Sequence, residues 1–164
     1  MTLSTSMKSS FQAVALGFLT LGIASTSALA ATATSTIAVS ATVVATCITS
    51  ATPMAFGNYT GVLLATSTAT VSVTCTNTTP YTVALSAGSA TGATVTNRSM
   101  TGPGSALLGY GLFSDSARSV NFATTASITG NGAAQPITVY GNVAGAQYVA
   151  PGAYADSITA TVSY

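Results

Sequence analysis

The chain has 164 residues, of which Asp, Glu, Lys and Arg make up only 3%, with no histidine and a formal net charge of +1. Without histidine or glutamate, and with Lys8 its sole lysine, it holds no groups for a proton shuttle, a Ser-His triad or an imidazole metal site. So little charge also leaves no field to steer nucleic acid or anionic lipid, and no catalytic residue, metal, cofactor, nucleic acid or small-molecule substrate is expected.

The first thirty residues carry Lys8, then the apolar run Phe11 to Ala24, then the small-residue ending Ala28-Leu29-Ala30. This is a secretory signal pattern with cleavage after Ala30. The alternative, a membrane anchor, needs roughly twenty apolar residues where this run has about fourteen. The mature chain of 134 residues suits one domain. Its remaining charges, Arg98, Asp115, Arg118 and Asp156, cancel, and a neutral Thr/Ser/Ala/Gly surface favours packing beside copies of itself. Val, Ile, Leu, Tyr and Phe recur in alternating blocks, which argues against disorder.

Thr34 to Cys47, TSTIAVSATVVATC, places Ile37, Val39, Ala41, Val43 and Ala45 on one parity with mostly Thr and Ser between, which predicts a half-buried strand closing on Cys47. A second alternating run, about Thr68 to Cys75, ends on the only other cysteine. In an exported chain the two cysteines are expected to form one disulfide, Cys47 to Cys75, with two free thiols as the alternative. Between them, ITSATPMAFGNYTGVLL reads as a long irregular connection with Phe56 and Tyr59 packed down.

Thr76 to Pro80 is a turn, and Tyr81, Val83 and Leu85 give a third strand. Gly88 to Gly104 is loop-like, with a short strand near Ala93 to Asn97. Ala106 to Phe113 is a buried strand, and Ser114 to Ser119 is a turn in which Asp115 caps backbone donors and pairs with Arg118. A turn-rich piece from Ala126 to Gly132 precedes the strand Gln135 to Val143, whose Pro136 suits a strand's first residues. The last strand, AYADSITATVSY, puts Ile158, Ala160, Val162 and Tyr164 on one face.

No helix follows the signal peptide, so the fold class is all-β, a sandwich of short antiparallel strands. About six substantial strands follow Cys47, where an immunoglobulin-like plan needs seven. The expectation is an incomplete immunoglobulin-like β-sandwich lacking its last strand, with an apolar groove and an unpaired edge. Asp115 and Asp156 are read as a turn cap and a strand-start residue, in preference to a glycosidase carboxylate pair. Tyrosines stacking on sugars would make a binding module, but Tyr81, Tyr110 and Tyr164 share parity with core positions and are read as core.

The order of these features resembles the spore coat protein U-like domain, the fold of pilin subunits in archaic chaperone-usher pili. The matching residues are the alternating N-terminal strand ending in Cys47, Phe56-Gly57, Val73 to Cys75, Tyr81 to Leu85, Leu108 to Leu112, Asp115 to Arg118, Val139 to Gly141 and Pro151 to Asp156. They cover nearly the whole mature chain. The resemblance implies a signal peptide over 1–30, a donor segment over 31–46 and a pilin domain over 47–164. Ile37, Val39, Ala41 and Val43 would enter a neighbour's groove, so that the fold is completed by donor-strand exchange. It further implies a homopolymer or a polymer with related subunits, a periplasmic chaperone, an outer-membrane usher, and a secreted fimbrium serving adhesion and biofilm formation. The alternative is a secreted coat-type domain of the same fold that does not polymerise by strand exchange.

Overall fold

The computed structural model describes residues 30–164. The expected signal peptide therefore lies, but for Ala30, outside the described residues. The chain divides into two compact units, Met1–Ser40 and Ala41–Tyr164. In the first, the described residues 30–40 carry no regular secondary structure and are exposed. No described helix is long and apolar enough to cross a membrane.

The second unit is all-β apart from a single 3-10 turn at Pro103–Ser105. Its strands are β1 (Cys47–Ala51), β2 (Ala65–Cys75), β3 (Pro80–Leu85), β4 (Arg98–Thr101), β5 (Leu107–Phe113), β6 (Ile128–Thr129), β7 (Gln135–Val143) and β8 (Ala160–Ser163). They form a five-stranded sheet ordered β1-β2-β7-β5-β4 and a three-stranded sheet ordered β6-β3-β8. Every ladder is antiparallel.

The period of two in the sequence becomes the inside and outside of the sandwich. Val71, Val73 and Cys75 of β2, Leu108, Tyr110 and Leu112 of β5, and Val139 and Val143 of β7 are buried, with partly exposed residues between them. They meet Tyr81, Val83 and Leu85 of β3 and Phe122 in one cluster. Each such side chain contributes on the order of 1.5–3 kcal/mol when fully removed from water. Pro136 sits second in β7, opposite Ser72, near the strand's start, where a missing donor is tolerated.

Cys47 and Cys75 lie opposite each other in the β1–β2 ladder and are joined by a disulfide across 28 residues of sequence. A loop of that length contributes about 3–4 kcal/mol in the chain-entropy model. The following turn is fastened by Gly130, the residue after β6: Thr78 N–H donates to Gly130 O at 2.8 Å, and Gly130 N–H donates to Thr79 O at 2.8 Å. Gly130 is needed for this close approach, because a Cβ there would lie 2.7 Å from both the Cys75 Cβ and the Thr76 carbonyl.

Several expectations change. The alternating run Thr34–Cys47 forms no strand. The ladder begins at Cys47 and runs on through Ile48 to Ala51, within the stretch read as irregular. Strand conformation needs a ladder partner, and the nearest pairing before Cys47 is Thr46 with Thr76, where Thr76 N–H donates to Thr46 O at 3.0 Å. Ala93–Asn97 is reduced to a bridge between Thr94 and Asn97, and the strand starts one residue later, as β4. The turn-rich piece near Ala126 contains β6. The chain thus has eight described strands, with β1 and β6 in stretches read as irregular and β4 displaced from its expected place. Tyr164, read as core, is 60% exposed, whereas Tyr81 and Tyr110 are buried.

Candidate strand-acceptor groove

β1 and β8 are edge strands of different sheets. β1 runs from Cys47 opposite Cys75 to Ala51 opposite Val71, and β8 from Ala160 opposite Leu85 to Ser163 opposite Thr82. Because Pro80 follows the turn after Cys75, both strands share a disulfide pole, toward which β8 runs and from which β1 departs. Each leaves one row of backbone donors and acceptors without a ladder. Between the two edges a cavity of about 390 Å³ opens into the core. Ala51 and Thr52 form one wall and Ile158 and Ala160 the other, with Val71, Leu85, Leu112 and Val139 beneath. Away from the disulfide the groove continues into a wider cavity of about 850 Å³, and the two share Met54, Phe56, Met100 and Tyr154 as a common wall.

One polar cluster stands on this wall. Asp156 accepts from Ser89 N–H and Ser89 Oγ at 2.7 Å each, from Ser157 N–H at 2.8 Å and from the Tyr110 hydroxyl at 2.6 Å. Burial works to raise its carboxyl, and the hydrogen bonds from Ser89, Tyr110 and Ser157 outweigh that and hold it below the ordinary carboxylate value. Burial, reinforced by the bond to Asp156, pushes the Tyr110 phenol well above the usual tyrosine value. Gly88, at φ +96°, passes against the carboxylate so closely that a Cβ would overlap it.

Behind them lies Arg98, 1% exposed. Its guanidinium donates to the carbonyls of Ser86 at 2.9 Å, Val95 at 2.5 Å, Phe122 at 3.0 Å and Leu85 at 3.4 Å. Burial works to lower its pKa, and the nearby Tyr110 and Asp156 oppose that. The group ties β3, β4 and the segment around Phe122 behind the groove. Neither Arg98 nor the Asp156 cluster was picked out in the sequence. The available signal was scarcity, since the four charged residues after residue 30 each lie against something.

Asp115 caps its turn, accepting from Val120 N–H at 2.8 Å and from Ser119 N–H and Oγ, and these bonds hold its carboxyl below the usual range. The expected ion pair with Arg118 gives way to a different contact. Arg118 donates to Gly141 O at 3.1 Å and Ser116 O at 3.2 Å and lies 5.9 Å over the Tyr140 ring. The carbonyls lie within reach and the exposed Asp115 is already saturated by its own loop.

The four expected donor side chains lie outside every strand. Ile37 is 87%, Val39 91% and Val43 86% exposed, and Ala41 is exposed as well. Three large apolar side chains at alternate positions in water are an uncompensated cost. The described residues include no group of three or more His, Cys, Asp or Glu able to hold a metal.

A family model for the Spore Coat Protein U domain matches residues 33–161. Among solved structures, the chain is similar to one from the CsuC-CsuE chaperone-tip adhesion subunit pre-assembly complex of archaic chaperone-usher Csu pili of Acinetobacter baumannii. The two share 22% identity at a TM-score of 0.54 over 75% of this chain. The match spans 40% of the length of that other chain, and at this identity it carries the fold alone. No curated protein matches.

Proposed function

Because the chain belongs to the Spore Coat Protein U domain family, we propose that it is a structural subunit of a secreted archaic chaperone-usher pilus, polymerising by insertion of its N-terminal segment into a neighbour's groove. The observation that carries this reading is the presence, on one chain, of an apolar groove between two free edges and of an exposed apolar segment with strand periodicity. Burying Ile37, Val39 and Val43 contributes roughly 1.5–3 kcal/mol each, and the added ladder pairs both rows of edge groups.

In this reading residues 1–30 are removed on export, 31–46 are the donor segment and 47–164 the acceptor domain. A periplasmic chaperone covers the groove first, and an outer-membrane usher passes the subunit to the surface, where the fibre serves adhesion and biofilm formation. The role is structural and involves no catalysis.

The test is an SDS gel of surface-sheared protein, unheated and boiled. A ladder at multiples of the mature mass that collapses on boiling is expected, and deleting Ala31 to Ala45 should abolish it while the chaperone-bound monomer stays soluble. A single monomer band from correctly processed, disulfide-bonded protein would instead mean a coat-type domain that does not exchange strands.

A further inference from the structure

The end of the sandwich opposite the disulfide carries a second apolar surface beside the wider cavity, which Tyr148 borders and Val62, Leu63 and Leu64 do not line. Residues 57–64 and 144–154 meet there in a scaffold fastened by the Tyr59 and Gln147 side chains. The Tyr59 hydroxyl donates to Ala144 O at 2.6 Å and accepts from Gln147 N–H at 3.2 Å. The Gln147 amide clamps the Gly109 backbone, accepting at 2.8 Å and donating at 2.9 Å. Gly61, at φ +83°, lies against the Tyr148 ring, and Gly145 lies against the backbone of Val62 to Leu64. This scaffold holds Val62, Leu63, Leu64 and Tyr148 in water, with Leu63 74% exposed. Neither loop contains a charged residue.

The direction of an inserted strand decides what lies over this pole. Every ladder in the domain is antiparallel, and β8 runs toward the disulfide pole. β1 runs the opposite way to β8, so a strand between them is antiparallel to one and parallel to the other; laid antiparallel to β8, it leaves the groove at the Val62–Tyr148 pole, the end where four large apolar side chains stand exposed. Only three residues lie between Val43 and Cys47, so the four Cα-to-Cα steps span at most about 14 Å. The donor's body, beginning with β1, is held against that pole by its own chain. The face it brings is its disulfide pole, where Val44 and Ile48 are exposed and, like the pole they meet, residues 41–51 carry no charge.

We propose that Val62, Leu63, Leu64 and Tyr148 form the seat for the body of a second copy of this chain, closing on its Val44 and Ile48. This rests on the strand-exchange reading and adds to it a second, domain-to-domain contact at every joint.

The test places a photoreactive benzoylphenylalanine at Leu63 of the full chain, an exposed position that leaves the core untouched, and irradiates assembled fibres. The expected product is a dimer that survives boiling, with the cross-linked peptide drawn from residues 41–51 of the neighbour. The reciprocal probe at Val44 should capture residues 57–64, and a probe at the exposed Thr68 should capture neither. A boil-sensitive ladder that forms normally while both pole probes stay monomeric or capture other peptides would overturn the seat and leave strand exchange standing. Absence of the ladder from the unmodified chain would overturn both.

Discussion

Arg98 shows how one residue holds the back of the groove in shape. It donates to four carbonyls from three separate stretches of chain, and removing it leaves those acceptors buried and unpaired. Arg98→Met should cost about 3–5 kcal/mol, the range for breaking a buried charged network, read as a fall in the thermal midpoint of the purified domain. Arg98→Lys should recover less than half, because an ammonium lacks the planar fork that reaches four acceptors. An unchanged midpoint for Arg98→Met would refute this role. None of it was legible beforehand: Arg98 reaches back to Ser86 and Leu85 and forward to Phe122, and Asp156 meets Ser89 across 67 residues. Local reading instead paired Asp115 with Arg118, the only opposite charges close in sequence.

At the scale of elements, legibility followed alternation that was also satisfied within the chain. The segment QPITVYGNV was read with the bounds β7 has, because its period of two, its leading proline and its flanking turns agree. β4 was placed too early because a buried arginine at its start looks like a loop residue, and β6 escaped because two residues carry no period. The stretch Thr34–Thr46 was read as a strand on the same evidence as β7 yet forms none in the single chain, which is the difference between propensity and pairing. The Gly130 latch gives a prediction of its own. Gly130→Ala pushes a methyl against the disulfide and the Thr76 carbonyl, and such overpacking costs about 1–3 kcal/mol. The urea midpoint should fall with its slope unchanged. A midpoint within error of the parent would mean that the turn moves aside freely.

The whole domain has few ways to sense pH. The Asp156 carboxyl is depressed, so its contribution is present above the ordinary carboxylate value and is lost as pH falls through the folded value. The Tyr81 and Tyr110 phenols are raised, so theirs is complete below the ordinary tyrosine value and is lost as pH climbs beyond it. With no histidine between, the thermal midpoint should be flat from about pH 5 to 9 and fall on both sides. A shift of several degrees between pH 6 and 8 would contradict this. The all-β class and the sandwich were legible as a whole because the period of two recurs along the chain with no helical pattern after residue 30, while the groove's walls come from seven separate stretches and needed the fold. Carrying a groove and its filler on one molecule also has a counting consequence under the exchange reading. A row of n such molecules holds n of each and makes n − 1 joints, so one tail and one socket always remain at opposite tips. The two tips are chemically unlike, and growth ends only when something that offers one half without the other is added.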